Sequence, residues 1–284
     1  MNEEPRQALQ TETDPSLGKT AAAEFGGAEV RSTPRIPSEL SILPARGFVM
    51  FPGTMIPLTI TRPASIKLLD ETLPKTKIIG LLNQRDDEKE EPTPEDLYEM
   101  GTAALVVKLL RQSDEQIVII VQGLSRFKIR QVIATEPFLR AEVELPESIS
   151  PAPSNEWQAE FKNLRESAAR LVELTPEAPE QAGAIVRNIE EAGQLADFLA
   201  PNLDVPVAQK QAILEELDVV KRVRAVQTTI SAQLEIAQIQ QRLHQDVQSQ
   251  FGDAHRKAYL RGQLKAIQRE LGEGDTGADE QIAQ

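Results

Sequence analysis

Gln116–Val121 reads QIVIIV, a run that is β-branched at every position after its glutamine and too short for a buried helix. Two segments upstream behave the same way, Thr102–Leu110 (TAALVVKLL) and Lys77–Leu82 (KIIGLL), so the region from Leu40 to Glu147 is crowded with short strands. Their apolar residues fall on both faces, which suits a closed or strongly coiled sheet better than a flat sheet with one wet face. Alternation along a strand requires Ile117, Ile119 and Val121 to face opposite to Val118 and Ile120. One of the two sets belongs to a core.

Working outward, Pro63 opens a helix at its first turn, with Ile66, Leu69 and Leu73 on one face, and Pro74 closes it. The acidic stretch Asp86–Glu99 (DDEKEEPTPEDLYE), broken by Pro92 and Pro94, is a solvated surface loop. Residues 1–38 lack a sustained apolar period and have the composition of a disordered tail. The strand domain therefore occupies residues 39–147, and Pro151 and Pro153 mark a linker over 148–154.

Beyond the linker the period changes from two to 3.6. Trp157, Phe161, Leu164, Ala168 and Leu171 share one helical face, and a second helix carries Ile185, Ile189, Ala192, Leu195 and Leu199 before ending at Pro201. These make a helical bundle over 155–206. From Val207 to Phe251 there is no proline, and apolar residues recur often enough to predict one helix of roughly 65 Å, counting 1.5 Å per residue. Gly252 is a candidate kink, after which Leu260, Leu264, Ile267 and Leu271 restart the stripe, so 207–272 is a long helix and a following one. Such a helix either pairs with another subunit as a coiled coil or serves as an intramolecular strut. Residues 273–284 form a frayed acidic tail.

The chain has 284 residues, 40% of them apolar, enough for about two domains with cores. It has no cysteine, which excludes a disulfide framework, a thiolate nucleophile and cysteine-ligated metal sites. No apolar run is long enough to cross a membrane and the first thirty residues do not read as a signal peptide, so a soluble, cytoplasmic protein is expected. A net charge of −13 and 4% aromatic residues disfavour nucleic-acid binding.

Catalytic motifs are fragmentary. Gly18-Lys19-Thr20 has the end of a phosphate-binding loop, but Thr13 stands where its first glycine belongs and no strand precedes it. His244 and His255 are eleven residues apart on one helix, roughly 16 Å, too far to share a metal ion. Ser125 and Lys128 read as ordinary sheet residues, and the loop carboxylates lack the apolar pocket that would raise one of them into an acid. No catalytic residue, nucleotide site or metal site is assigned.

Several motifs, in order, resemble the Lon protease family. Leu43-Pro44, Phe51-Pro52-Gly53 and Ile56-Pro57-Leu58 resemble its opening LP…FPG…PL pattern. Thr93-Pro94-Glu95-Asp96-Leu97-Tyr98, Met100-Gly101-Thr102-Ala103 and Gln122-Gly123-Leu124-Ser125-Arg126 resemble its later signatures. The stretch Tyr259–Gly272 (YLRGQLKAIQRELG) is similar to the family's YLREQLKAIQKELG; Gly262 replaces the usual glutamate, at a helix-propensity cost of about 1 kcal/mol relative to alanine. The resemblance runs from Leu40 to Gly272. It implies an α+β chain in which an N-terminal PUA-like β-barrel is followed by an α-helical bundle and a long helix, the one for which coiled coil and strut are the two alternatives.

It also implies function. In that family this region contacts unfolded or damaged proteins and supports hexamer assembly, while a AAA+ ATPase using ATP and magnesium, and a peptidase with a Ser–Lys dyad, follow it. The expectation is a substrate-recognition and assembly region without catalytic modules or cofactors of its own. A freestanding protein-binding adaptor is the alternative. Binding unfolded chains requires accessible apolar surface, and Met55, Ile56, Pro57 and Ile120 are the candidate patch, unless a helix or the bundle covers them.

Overall fold

The computed structural model describes residues 34–176, 178–179 and 181–273, with side chains described throughout except at 245–258, 268 and 270–273. Of the tail expected over residues 1–38, residues 1–33 lie outside what is described, as do the Gly18-Lys19-Thr20 fragment, the His255 side chain and residues 274–284 of the acidic tail expected over 273–284.

Six strands follow in order: β1 (Glu39–Ala45), β2 (Met55–Ile60), β3 (Ile78–Asn83), β4 (Met100–Ser113), β5 (Gln116–Ala134) and β6 (Arg140–Glu144). The first helix, α1 (Pro63–Thr72), stands between β2 and β3 with proline in its first turn, as its sequence predicts. After the strands come α2 (Asn155–Leu174), α3 (Ala182–Asn188), α4 (Ala192–Leu199), α5 (Val207–Glu215) and α6 (Val219–Glu273). The chain is α+β.

The sheet order is β2-β5-β4-β3-β1-β6, with an additional β5–β6 pairing. Only β1 and β3 run parallel; the other neighbours are antiparallel. The first half of β5 pairs with β2, and its second half, from Lys128, pairs with β6. Pairings thus close a circuit through β5, β4, β3, β1 and β6, while β2 and the adjoining halves of β4 and β5 extend from it as a three-stranded ribbon. Five strands are closed on one another by pairing, but the projecting ribbon departs from the plain barrel that the resemblance implies. The expectation of short strands is corrected, since β4 has 14 residues and β5 has 19. Bulges explain the length. The β4–β5 register shifts at Ala103/Ala104, Val106/Lys108 and Arg111/Ser113, and each extra residue bends the ladder, so that one strand passes through several sheet environments without a turn.

Three apolar clusters form the interior. One lies between α1 and the ribbon, with Leu68 and Leu69 against Ile117, Ile119 and Val121. A second, around Phe127, Ile42 and Leu82, fills the other face of the sheet. The third belongs to the helices, yet Val49 and Phe51 from the loop after β1 insert into it. Phe51 is fully buried there, and an aromatic side chain so placed contributes about 1.5–3 kcal/mol. Gly123 permits this path: its amide donates to the Thr54 carbonyl and its own carbonyl accepts from Gly53, while a Cβ at position 123 would lie 2.2 Å from the Phe51 carbonyl oxygen.

Two helical expectations need correction. The helix expected to carry Ile185 through Leu199 divides into α3 and α4, because the extended Ile189 turns its carbonyl to accept from Arg165 Nη2 at 2.8 Å. The continuous helix expected from Val207 is interrupted between Glu215 and Val219. There the Asp218 carboxylate accepts from the Val220 and Lys221 amides, an N-cap that starts α6, and the chain on either side pairs with Ile149. The α6 helix then continues through Gly252 without a break.

The chain divides into two compact units between Gln233 and Leu234. All three apolar clusters lie in the first. In the second, Ile236, Ile239, Leu243, Tyr259, Leu260, Leu264 and Ile267 are exposed.

Candidate functional site

The ribbon positions the residues singled out from sequence. In the β2–β5 ladder Ile56 pairs with Val121, Leu58 with Ile119 and Ile60 with Ile117; residues directly opposite share a face, and this face is the core. Ile117, Ile119 and Val121 are all 0% exposed, and Ile56 and Leu58 pack against the cluster they belong to. The alternate pairs, Met55 with Gln122, Pro57 with Ile120 and Thr59 with Val118, point the other way. The structure therefore divides the four candidates. Met55, Pro57 and Ile120 share the outer face, half-buried and in none of the three apolar clusters, whereas Ile56 is turned toward the core.

The β4 strand widens that outer face. Lys108 stands opposite Ile120, and Leu110 opposite Val118. Leu110 and the bulge residue Val107 are 47% and 50% exposed. Neither residue stands out in sequence, because TAALVVKLL continues its apolar run straight through the bulge and gives no sign of which residue changes face. At the far end of the ribbon, Arg111 forms an ion pair with Asp70 of α1, and Asp70, Asp114 and Glu115 border a shallow groove.

Between β5 and the helices sits an ionic cluster that patterning did not reveal. Arg126 of β5 donates two hydrogen bonds of 2.7 Å to Asp197 of α4 and a third, of 2.8 Å, to the Leu214 carbonyl. Arg222 of α6 approaches the same carboxylate at 3.3 Å and donates to the Glu216 carbonyl. All three side chains are buried, and burial lowers the Arg222 pKa from its ordinary value. This cluster joins sheet and helices. Its members pair with one another and with backbone, which is a structural role.

The acidic loop is anchored as well. Arg46 and Gln84 both donate to the Lys89 carbonyl, and the Gly47 amide donates to Asp87. Lys89 and Thr93 hydrogen-bond the Asp96 carboxylate and hold its pKa down at about 2. Ser125 turns toward the Arg126 carbonyl and Lys128 toward Glu99, so the two are not brought together as a dyad. Among the described residues no group of three or more acidic or histidine side chains is placed to hold a metal ion, and no helix is long and apolar enough to cross a membrane.

Residues 39–232 match the family model described as the ATP-dependent protease La (LON) substrate-binding domain. The chain is 38% identical over 238 residues to Lon protease 2 of Myxococcus xanthus, covering 84% of this chain and 29% of that protein. To Lon protease of Anaeromyxobacter dehalogenans it is 36% identical over 255 residues, covering 90% of this chain and 30% of the relative. It thus spans about three-tenths of the length of these relatives. Among solved structures, the N-terminal domain of Mycobacterium avium complex Lon protease superimposes with a TM-score of 0.53 at 19% identity, over 68% of this chain and 98% of that one. The last comparison concerns the fold alone.

Proposed function

The chain belongs to the ATP-dependent protease La (LON) substrate-binding domain family, and from that premise we propose that its first unit binds unfolded or damaged polypeptides for a Lon-type protease. The observation that carries this reading is the outer face of the ribbon, where Met55, Pro57, Val118 and Ile120 stand half-exposed outside every apolar cluster. An unfolded chain differs from a folded one chiefly in its exposed apolar side chains, and a surface with apolar groups beside Thr59, Lys108 and Gln122 matches them without demanding one sequence. Covering about 200 Å² of such surface yields about 5 kcal/mol before ordering costs. After those costs, contact is weak and reversible, as suits a region that hands its substrate on.

Recognition is the part of proteolysis assigned to this chain. Hydrolysis of ATP with magnesium and cleavage of the peptide bond are assigned to other modules of a full-length protease. The exposed apolar residues of α6 from Ile236 to Ile267 support a second contribution, pairing between copies in an assembled protease.

The binding reading is tested with a permanently unfolded, fluorescently labelled model protein titrated with the full chain. Ile120→Asp places a charge in the middle of the face and is expected to weaken binding about tenfold, while Ile120→Thr, which keeps β-branching, weakens it less. Circular dichroism verifies that both variants fold. Equal affinity for the parent and folded Ile120→Asp contradicts the assignment.

A further inference from the structure

We propose that the outer edge of β4 over Lys108–Arg111 captures an extended polypeptide segment as an additional antiparallel or parallel strand, so that recognition is made through the backbone as well as through side chains. This deepens the peptide-binding reading above and rests on it.

On one of its two sides, β4 loses its partner partway along. On one side β4 pairs with β3 from Thr102 to Leu105, and the Val106 amide makes the last bond on that side, to the Lys77 carbonyl. Beyond it, among the described residues, β5 is the only strand paired with β4. Every residue from Val107 to Ser113 is exposed. A strand with one free edge offers a row of backbone donors and acceptors whose natural complement is another extended backbone. Between the bulges at Val107 and Gln112, Lys108–Arg111 keeps a regular register against Ile120–Ile117, a length of about 13 Å at 3.3 Å per residue. This short length suits a segment of an unfolded chain.

Charge distinguishes the occupant. Residues opposed in an antiparallel pair share a face, so a second copy of this chain joins edge to edge only about a twofold axis through Leu109 or Leu110, which sets Lys108 opposite the second Leu110 or the second Gln112 and gives it no carboxylate. An added segment with apolar residues and intervening carboxylates supplies that partner. Its apolar residues lie beside Leu109, which is 37% exposed, and its carboxylates, on the opposite face, beside Lys108. The outer face and this edge are continuous, since Lys108 and Leu110 belong to both.

The test uses the full chain and a nine-residue synthetic peptide of alternating valine and polar residues carrying two glutamates. Two further versions are N-methylated on alternate residues, one on the odd set and one on the even set. Strand addition uses the amides of only one set, so one version is expected to lose about tenfold in affinity while the other binds like the parent. Lys108→Glu is expected to weaken the parent peptide several-fold. If the parent binds and both methylated versions bind equally well, or both are weakened equally, strand addition is overturned while the peptide-binding reading stands. If the parent does not bind, both readings fall. Dimerisation of the chain without peptide, abolished by Lys108→Pro, would show that a second copy occupies the edge and would likewise overturn the proposal.

Discussion

At the scale of single residues, the decisive contrast is between Ile119 and Ile120, identical side chains one position apart with opposite surroundings. The period of two along QIVIIV makes that contrast legible in the sequence, although only β-ladder register shows that Ile56 goes with the buried set and Pro57 with the open one. Buried charge was not legible. Arg126 lies in a strand segment and Asp197 in an apolar helical one, and each by its type reads as solvated; only their convergence from positions 71 residues apart explains their burial. The geometry gives a large expected effect. Asp197→Ala leaves two buried guanidinium groups without their carboxylate, and urea unfolding is expected to show a loss of about 3–5 kcal/mol. A change within ordinary surface values, about 0.5 kcal/mol, would mean that water reaches the cluster and satisfies both arginines.

At the scale of elements, the strands and helices were announced by periodicity, but their ends were not. Bulges extend β4 and β5 past the limits of their apolar runs, because an added residue changes face without any turn signal. The interruption before α6 carries neither glycine nor proline; it depends on Asp218 as a cap and on Ile149, nearly seventy residues earlier, for its backbone partner. The family model ends at residue 232, beside the boundary between the two units, and the exposed apolar residues of α6 lie beyond it. Pairing through α6 therefore predicts a definite outcome in sedimentation. The full chain self-associates with increasing concentration, and a chain ended after Gln233 does not. Monomers in both cases remove pairing by this helix, and association in both places it elsewhere.

For the whole molecule, sheet and helices form one unit up to Gln233, joined by Phe51 in the helical core and by Arg126 on Asp197. Joining the two parts holds the ribbon on a fixed base while leaving its outer face and the edge of β4 open. For the proposed contact with an unfolded chain, rigidity lowers the ordering cost on the protein side. The ordered motifs of the sequence were enough to indicate the family, and their prolines and glycines now have physical places: Gly123 against Phe51, Pro63 at the start of α1. The proposed binding face was less legible, since burial of one face and exposure of the other follow from how the sheet coils. Hydrogen exchange on the full chain, with and without a saturating unfolded model protein, tests this directly. The account predicts added protection concentrated in Met55–Ile60, Val107–Ser113 and Gln116–Gln122; binding accompanied by protection confined to other segments would contradict it.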